Sequence, residues 1–125
     1  MTENELSHAT LGAAIEVHRL LGPGLLESVY ESALARELHL RELNVDRQRA
    51  IPVEYKGENL DVGFRLDIIV NDLVIVEVKA VEKILPIHEV QLLTYLRLCD
   101  KKLGLLLNFN TLVMKDGVRR VVNNL

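Results

Sequence analysis

The sequence predicts a single α/β domain, a mixed α+β arrangement in which one sheet is flanked by helices. Segments of helical periodicity occur at the start of the chain and once later, and strand-like apolar segments make up most of the remainder. The 125 residues suit one domain and leave little room for a second. Hydrophobic residues make up 49% of the chain, which is sufficient for one core.

Three segments show apolar residues at helical spacing. The first covers about residues 4–21 and ends where Gly22-Pro23-Gly24 breaks the chain. The second covers about residues 25–42, and the third, which opens at Leu85-Pro86-Ile87, covers about residues 87–99.

Five segments are typical of strands. They are residues 45–56, 60–70, 73–80, 103–109 and 118–122. Turns are predicted at Gly57-Glu58-Asn59 and Asn71-Asp72, and Lys115-Asp116-Gly117 predicts a hairpin turn before the last strand. This order of elements indicates a central sheet with helices on its faces.

The two strands between Phe64 and Ala80 contain the most informative pattern. Side chains alternate faces along a strand, and every even-numbered residue of these two strands is apolar. The odd-numbered positions are mixed: Arg65, Asp67, Ile69, Ile75, Glu77 and Lys79.

The pairing register decides which of these residues meet. A two-residue loop at 71–72 would pair Leu66 with Glu77 and place charge among core residues, which is disfavoured where one face is buried. A three-residue turn or a bulge would instead pair Leu66 with Val78 and keep one face apolar. We therefore predict the second register.

In that register, Ile68 pairs with Val76, and Asp67 lies opposite Glu77 with Lys79 two residues further along. Two opposed carboxylates repel each other, so sheet formation alone does not select them. A divalent cation such as Mg²⁺, which takes oxygen ligands, would remove the conflict. A lysine beside the ion could orient or deprotonate a water molecule, or stabilise charge on a phosphate. The alternative is an exposed strand face with scattered charge.

Asp67 followed by Glu77-Val78-Lys79 resembles the D…(D/E)xK signature of the PD-(D/E)xK nuclease superfamily, with Leu66 where the signature usually has proline. Residues 24–30 match GxxExxY, the motif that names the GxxExxY protein family, and residues 91–95 match the QxxxY motif of RecB-like nucleases. The segments GLLLNF and DGVRR are also similar to that family. The resemblance covers about residues 8–122 and implies a restriction-endonuclease-like core.

The resemblance implies a role for each matched residue. Asp67 and Glu77 would be metal ligands, with the backbone carbonyl of Val78 as a third ligand. Lys79 would be the catalytic lysine. Glu27 would be the helical acid that supports the metal, although a negative charge in the first turn of a helix also stabilises the helix by about 0.3–1 kcal/mol.

The remaining candidates would contact the substrate. His88, Gln91 and Tyr95 share one face of the third helix, and the resemblance places Gln91 and Tyr95 near substrate phosphates. His88 could be a phosphate contact, an acid–base residue or a helix N-terminal residue. Tyr30 lies one turn from Glu27, and we expect it to be a core residue whose hydroxyl is aimed at the site.

Composition limits the partners. The formal net charge of −3 argues against a protein that coats nucleic acid, but allows an enzyme that contacts a few phosphates. The single cysteine, Cys99, suits a reducing cytosol, and neither a signal-peptide pattern nor an apolar run of roughly 20 residues occurs. We therefore expect a cytoplasmic protein that does not bind membranes.

These observations favour a Mg²⁺- or Mn²⁺-dependent nuclease that hydrolyses phosphodiester bonds of DNA or RNA. The alternative is a non-catalytic module with the nuclease fold that binds a protein partner or nucleic acid, since 125 residues contain no evident insertion for substrate recognition. A homodimer with a composite cleft is a third hypothesis. The sequence contains no GxxxxGK[ST] loop, no GxSxG motif and no zinc-ligand spacing.

Overall fold

A computed structural model describes all 125 residues. The three helices are α1 (Glu3–Leu21), α2 (Glu27–Leu40) and α3 (Pro86–Cys99). The five strands are β1 (Val45–Tyr55), β2 (Glu58–Val70), β3 (Val74–Lys79), β4 (Leu103–Asn108) and β5 (Val118–Val122). The predicted α/β class and the order of elements are therefore confirmed.

The strands form one sheet in the order β1-β2-β3-β4-β5. All neighbours are antiparallel except β3 and β4, which are parallel and are connected through α3. A parallel pair requires a crossover connection of this kind. None of the three helices combines the length and the apolar composition needed to cross a lipid bilayer.

Both faces of the sheet are covered. Helices α1 and α2 pack on one face around Ile68, Val76 and other apolar strand residues, and form the larger cluster of buried side chains. Helix α3 packs on the other face, where Ile69 and Ile75 are buried in a smaller cluster. Strand β3 is therefore buried on both sides, which accounts for its nearly continuous apolar sequence.

The predicted register of the β2–β3 hairpin is confirmed. Ile68 pairs with Val76, Ile69 with Ile75 and Val70 with Val74. The turn contains three residues, and its first two, Asn71 and Asp72, have left-handed φ angles of 50° and 56°. Asparagine and aspartate tolerate this conformation better than most residues.

The prediction that Phe64 and Leu66 share the face of Val78 is wrong. Both lie in or against the α3-side cluster, whereas Ile68 belongs to the opposite cluster. The regular alternation is broken between Leu66 and Ile68, opposite Gln48 of β1, whose φ angle is 52°. Backbone pairing of β2 with β3 ends at Ile68, so no ladder constrains the preceding residues to one face.

Beyond that point β1 and β2 continue without β3 as a two-stranded ribbon, which we define as residues 49–66. The turn at its tip is Lys56-Gly57, one residue earlier than predicted, and both residues have positive φ, as a two-residue hairpin turn requires. Gly63 allows the two strands to approach, since a Cβ atom there would lie 1.9 Å from the carbonyl oxygen of Ile51.

The connection before β5 also differs from the prediction. Residues Met114–Gly117 form a single 3-10 turn at the end of a connection that covers residues 109–117, not a tight hairpin turn. Gly117 packs directly against the end of β4, where a Cβ atom would lie 2.0 Å from the carbonyl oxygen of Asn108. The glycine therefore serves close packing as well as chain reversal.

Candidate metal centre

The centre of the site is the gap where β2 and β3 separate. The backbone N–H of Val78 donates to Oδ2 of Asp67 at 2.9 Å, and the N–H of Asp67 donates to Oε2 of Glu77 at 3.3 Å. Side-chain carboxylates thus take the hydrogen bonds that a continued ladder would have made. The two carboxylates that the sequence places opposite each other do meet.

Glu77 is the more deeply buried acid, with 5% of its surface exposed. Burial, followed by the hydrogen bond and the negative charge of Asp67, raises the pKa of Glu77 to about 9. The positive charge of Lys79 opposes this shift but does not cancel it. At neutral pH the metal-free pair therefore retains a proton in place of a cation.

Lys79 follows at the end of β3 and is half-buried. No carboxylate oxygen lies within 4 Å of its ammonium group, so it remains unpaired at the edge of the gap. The backbone of Lys79 is held on the other side, because its carbonyl accepts a hydrogen bond of 2.9 Å from the N–H of Phe109.

Glu27 reaches the same end of β3 from a different element. It is the first residue of α2, and its Oε2 accepts a long hydrogen bond of 3.4 Å from the N–H of Ala80. Glu27 is exposed and thus free to rotate toward a ligand. The structure thus brings Glu27 to Ala80, the residue after Lys79, although the two are 53 positions apart in the sequence.

Tyr95 of α3 packs against the smaller apolar cluster, on the α3 side of the sheet. Its ring stacks on Phe64, with ring centroids 4.2 Å apart and planes 6° from parallel. Partial burial, followed by the negative charges of Glu77 and Asp67, raises the pKa of the Tyr95 hydroxyl.

The other two candidate residues of α3 are Gln91 and His88. Gln91 is exposed one turn from Tyr95 and makes no hydrogen bond within the chain, so its amide is free. The Nδ1 atom of His88 accepts a hydrogen bond of 3.0 Å from the N–H of Leu85 and caps α3. Of the three roles open to His88, the structure supports the helix N-terminal one.

The expectation for Tyr30 requires a correction. Its ring is buried and stacks on Phe109, as a core residue should. Its hydroxyl, however, donates to the carbonyl of Gly22 at 2.5 Å and accepts from the N–H of Leu25 at 3.0 Å. Both lie in the loop before α2. Tyr30 therefore positions Glu27 by anchoring that loop and has no hydroxyl proton free for a substrate.

Asn108 is a site residue that the sequence analysis missed. It pairs with Lys79 across the parallel β3–β4 ladder and is 2% exposed. Its amide oxygen accepts from the N–H of Val81 at 3.0 Å, and its amide nitrogen donates to the Val81 carbonyl at 2.9 Å. The amide of Asn108 therefore holds the backbone after Lys79 through two hydrogen bonds to Val81. The available signal was one polar residue at the end of the apolar run LGLLLNF.

These residues fit a divalent cation by chemical type. The carboxylates of Asp67 and Glu77 and the carbonyl of Val78 offer only oxygen, which Mg²⁺ and Mn²⁺ prefer. The protein gathers two carboxylates here and nowhere three or more Asp, Glu, His or Cys side chains suited to a metal. Water or substrate oxygens would have to complete the coordination.

A three-layered α/β fold with an acid pair and a lysine where two strands separate defines a class of nuclease-like proteins. The family model of the PD-(D/E)XK nuclease superfamily matches residues 4–121, and the chain belongs to that superfamily. Proteins of this superfamily generally are nucleases and use divalent metals. No curated protein and no solved structure matches the chain.

Proposed function

We propose that the protein is a Mg²⁺- or Mn²⁺-dependent nuclease that hydrolyses phosphodiester bonds in nucleic acid. One observation carries the proposal: Asp67 and a proton-retaining Glu77 meet in a strand gap beside the unpaired Lys79. A buried acid pair of this kind costs stability, because burial and the charge of Asp67 outweigh the opposing charge of Lys79. A catalytic cation site explains the arrangement better than sheet packing does.

Each residue has a distinct task in this proposal. Asp67, Glu77 and the carbonyl of Val78 hold the ion, and Glu27 supports it, directly or through water. When bound, the ion supplies Lewis-acid stabilisation of charge on the phosphate and lowers the pKa of water. Lys79 orients the attacking water and balances negative charge in the transition state through its ammonium group, or, as the neutral amine, it accepts a proton from that water.

The α3 face of the cleft would position the strand. Gln91 offers an amide that no protein group uses, and the Tyr95 ring is fixed by its stack on Phe64. The clamp of Asn108 on Val81 keeps the end of β3 in place. The substrate is DNA or RNA, and the lone free thiol of Cys99 is consistent with a cytoplasmic location.

Calorimetry with Mg²⁺ and Mn²⁺ on the wild type and on Asp67→Ala tests the site, and cleavage of plasmid and single-stranded substrates follows on the same samples. We expect metal binding that Asp67→Ala abolishes, and metal-dependent cleavage that Lys79→Ala lowers by about 100-fold or more without loss of the fold. Absence of specific metal binding would contradict the site. Cleavage retained in Lys79→Ala would contradict the role of the lysine. Light scattering on these samples separates a monomer from the homodimer.

One observation favours the alternative of a non-catalytic module. Glu27 bonds to the backbone N–H of Ala80, so only two carboxylates lie at the gap. A module of this kind would bind metal at Asp67 and Glu77 and would bind nucleic acid or a protein partner without cleaving a substrate. Metal binding without cleavage on any substrate would therefore select this alternative.

A further inference from the structure

Strands β1 and β2 contain three arginines, and only one lacks an acidic partner. Arg47 pairs with Glu31 at 2.9 Å, and Arg49 pairs with Asp72 at 2.6 Å. Arg65 has no carboxylate oxygen within 4 Å and is exposed. Its charge is therefore uncompensated although two neighbouring arginines are neutralised.

Arg65 is nevertheless held in place. Its Nη1 donates to the carbonyl of Gln48 at 3.1 Å. Gln48 is itself anchored, because its side-chain amide donates to the buried carboxylate of Glu31 at 2.7 Å. A guanidinium group has five N–H donors, and this contact occupies one of them. The other four donors have no hydrogen-bond partner within the protein, and the residue is exposed.

The position of Arg65 relates it to the metal centre. It precedes Asp67 by two residues on β2, so their Cα atoms are about 7 Å apart along the strand. The ribbon beyond it carries Glu54, Glu58 and Asp61 against a single lysine, Lys56. The negative phosphates of a nucleic-acid backbone are thus attracted at the base of the ribbon and repelled along its outer part.

We propose that Arg65 binds a backbone phosphate adjacent to the one that is cleaved, an inference that rests on the proposed nuclease function. The planar guanidinium fork matches two phosphate oxygens, and a preformed anchor reduces the entropy lost on binding. The acidic outer ribbon limits the contact to the base of the ribbon. The protein therefore holds a short stretch of one strand through few phosphates.

The test is binding of a fluorescently labelled single-stranded oligonucleotide by anisotropy across a KCl series, in EDTA, so that metal-dependent cleavage does not interfere. Arg65→Ala should weaken binding by about 10-fold and lower the slope of log K against log salt by about 0.7. Arg65→Lys should retain the slope with intermediate affinity, because it keeps the charge and loses the fork.

Arg119→Ala is the matched control. Arg119 is also exposed, lacks an ion pair and donates to backbone carbonyls, but it lies on β5 at the other side of the sheet. Its loss should change affinity by less than about twofold, since exposed charges beyond a Debye length are screened. If Arg65→Ala melts early, Arg65→Gln, which can still donate to the Gln48 carbonyl, takes its place.

The role of Arg65 would be overturned by an Arg65→Ala affinity and slope equal to those of the wild type, by an equal loss in Arg119→Ala, or by wild-type protein that binds no oligonucleotide. Inorganic phosphate that competes at matched ionic strength as well as an unlabelled strand would also overturn it, because the site would then take a free anion. Metal binding and cleavage by the wild type are measured separately, so these results leave the nuclease proposal to its own test.

Discussion

The two halves of the β2–β3 hairpin differ in polarity and in how their strands are joined. Near the turn, Ile69 and Ile75 pair through the backbone and are buried under α3. At the open end, the strands part and Asp67 and Glu77 replace the ladder with side-chain hydrogen bonds. The apolar half contributes the stability that permits a strained acid pair two residues away.

This contrast predicts that changes in the two halves have different readouts. Substitutions near the turn should lower the free energy of unfolding, whereas substitutions at the open end should affect metal binding and activity more than stability. The largest effect on stability is expected at Ile69 and smaller effects at the end of β3.

Ile69→Ala should produce the largest loss. Ile69 is 1% exposed, and removal of its buried side chain should cost about 2–5 kcal/mol. The matched change at the open end, Asp67→Asn, keeps an oxygen that accepts from Val78 and should change stability by less than about 1 kcal/mol. Urea unfolding of both variants measures the difference. Similar losses in the two variants would remove the contrast.

Asn108→Ala should have an intermediate effect. It leaves the N–H and carbonyl of Val81 without their partners and should cost about 1–3 kcal/mol. Because Asn108 clamps the turn after Lys79, cleavage should fall further than stability explains, with a larger change in kcat than in KM. Asn110→Ala is the control, since Asn110 reaches the Val81 carbonyl only at 3.4 Å. Equal effects of the two changes would refute the clamp.

Glu77→Gln should have an effect on stability whose size depends on pH. The folded pKa of about 9 lies above the ordinary value of 4.5, so folded protein retains a proton that unfolded chain releases between these values. The stability of the metal-free wild type should therefore fall as pH rises through this window. Glu77→Gln imitates the protonated acid, and we expect a flatter profile and about 1–2 kcal/mol more stability at pH 9.

Thermal unfolding between pH 5 and pH 9 in EDTA checks this prediction, with the exposed ribbon residue Glu54→Gln as a control. For the same reason, Mg²⁺ binding to the wild type should release a proton near neutral pH and strengthen as pH rises. Parallel profiles for wild type and Glu77→Gln would show that Glu77 is already ionised in the folded protein.

Much of the fold followed from the sequence because apolar patterns report burial directly. The period-two pattern of β2 and β3 required a three-residue turn to keep Ile68 opposite Val76, and the structure has that turn. The same rule failed for Leu66, because alternation assumes an unbroken ladder and the ladder ends at Ile68. The rule thus failed at the position where the candidate site begins.

The local pattern predicted which charged residues of β2 and β3 lie close together, but not which residues of other segments would reach them. Asp67, Glu77 and Lys79 are two positions apart or directly opposite, so local spacing brings them together. Glu27 was expected only through its family motif and Asn108 was missed, because both reach the end of β3 from distant segments through packing of α2 and parallel pairing of β4. The hydroxyl of Tyr30 was misjudged because its partners are backbone groups of a loop.

The ribbon is the part of this small domain where added residues should disturb the fold least. Its turn at Lys56-Gly57 is exposed, and its outer part pairs with no third strand, so the tip bears little on the sheet or its two cores. Additional residues are tolerated best at exposed turns of this kind. Added residues there would lengthen the ribbon without changing the sheet, its two cores or the candidate metal centre.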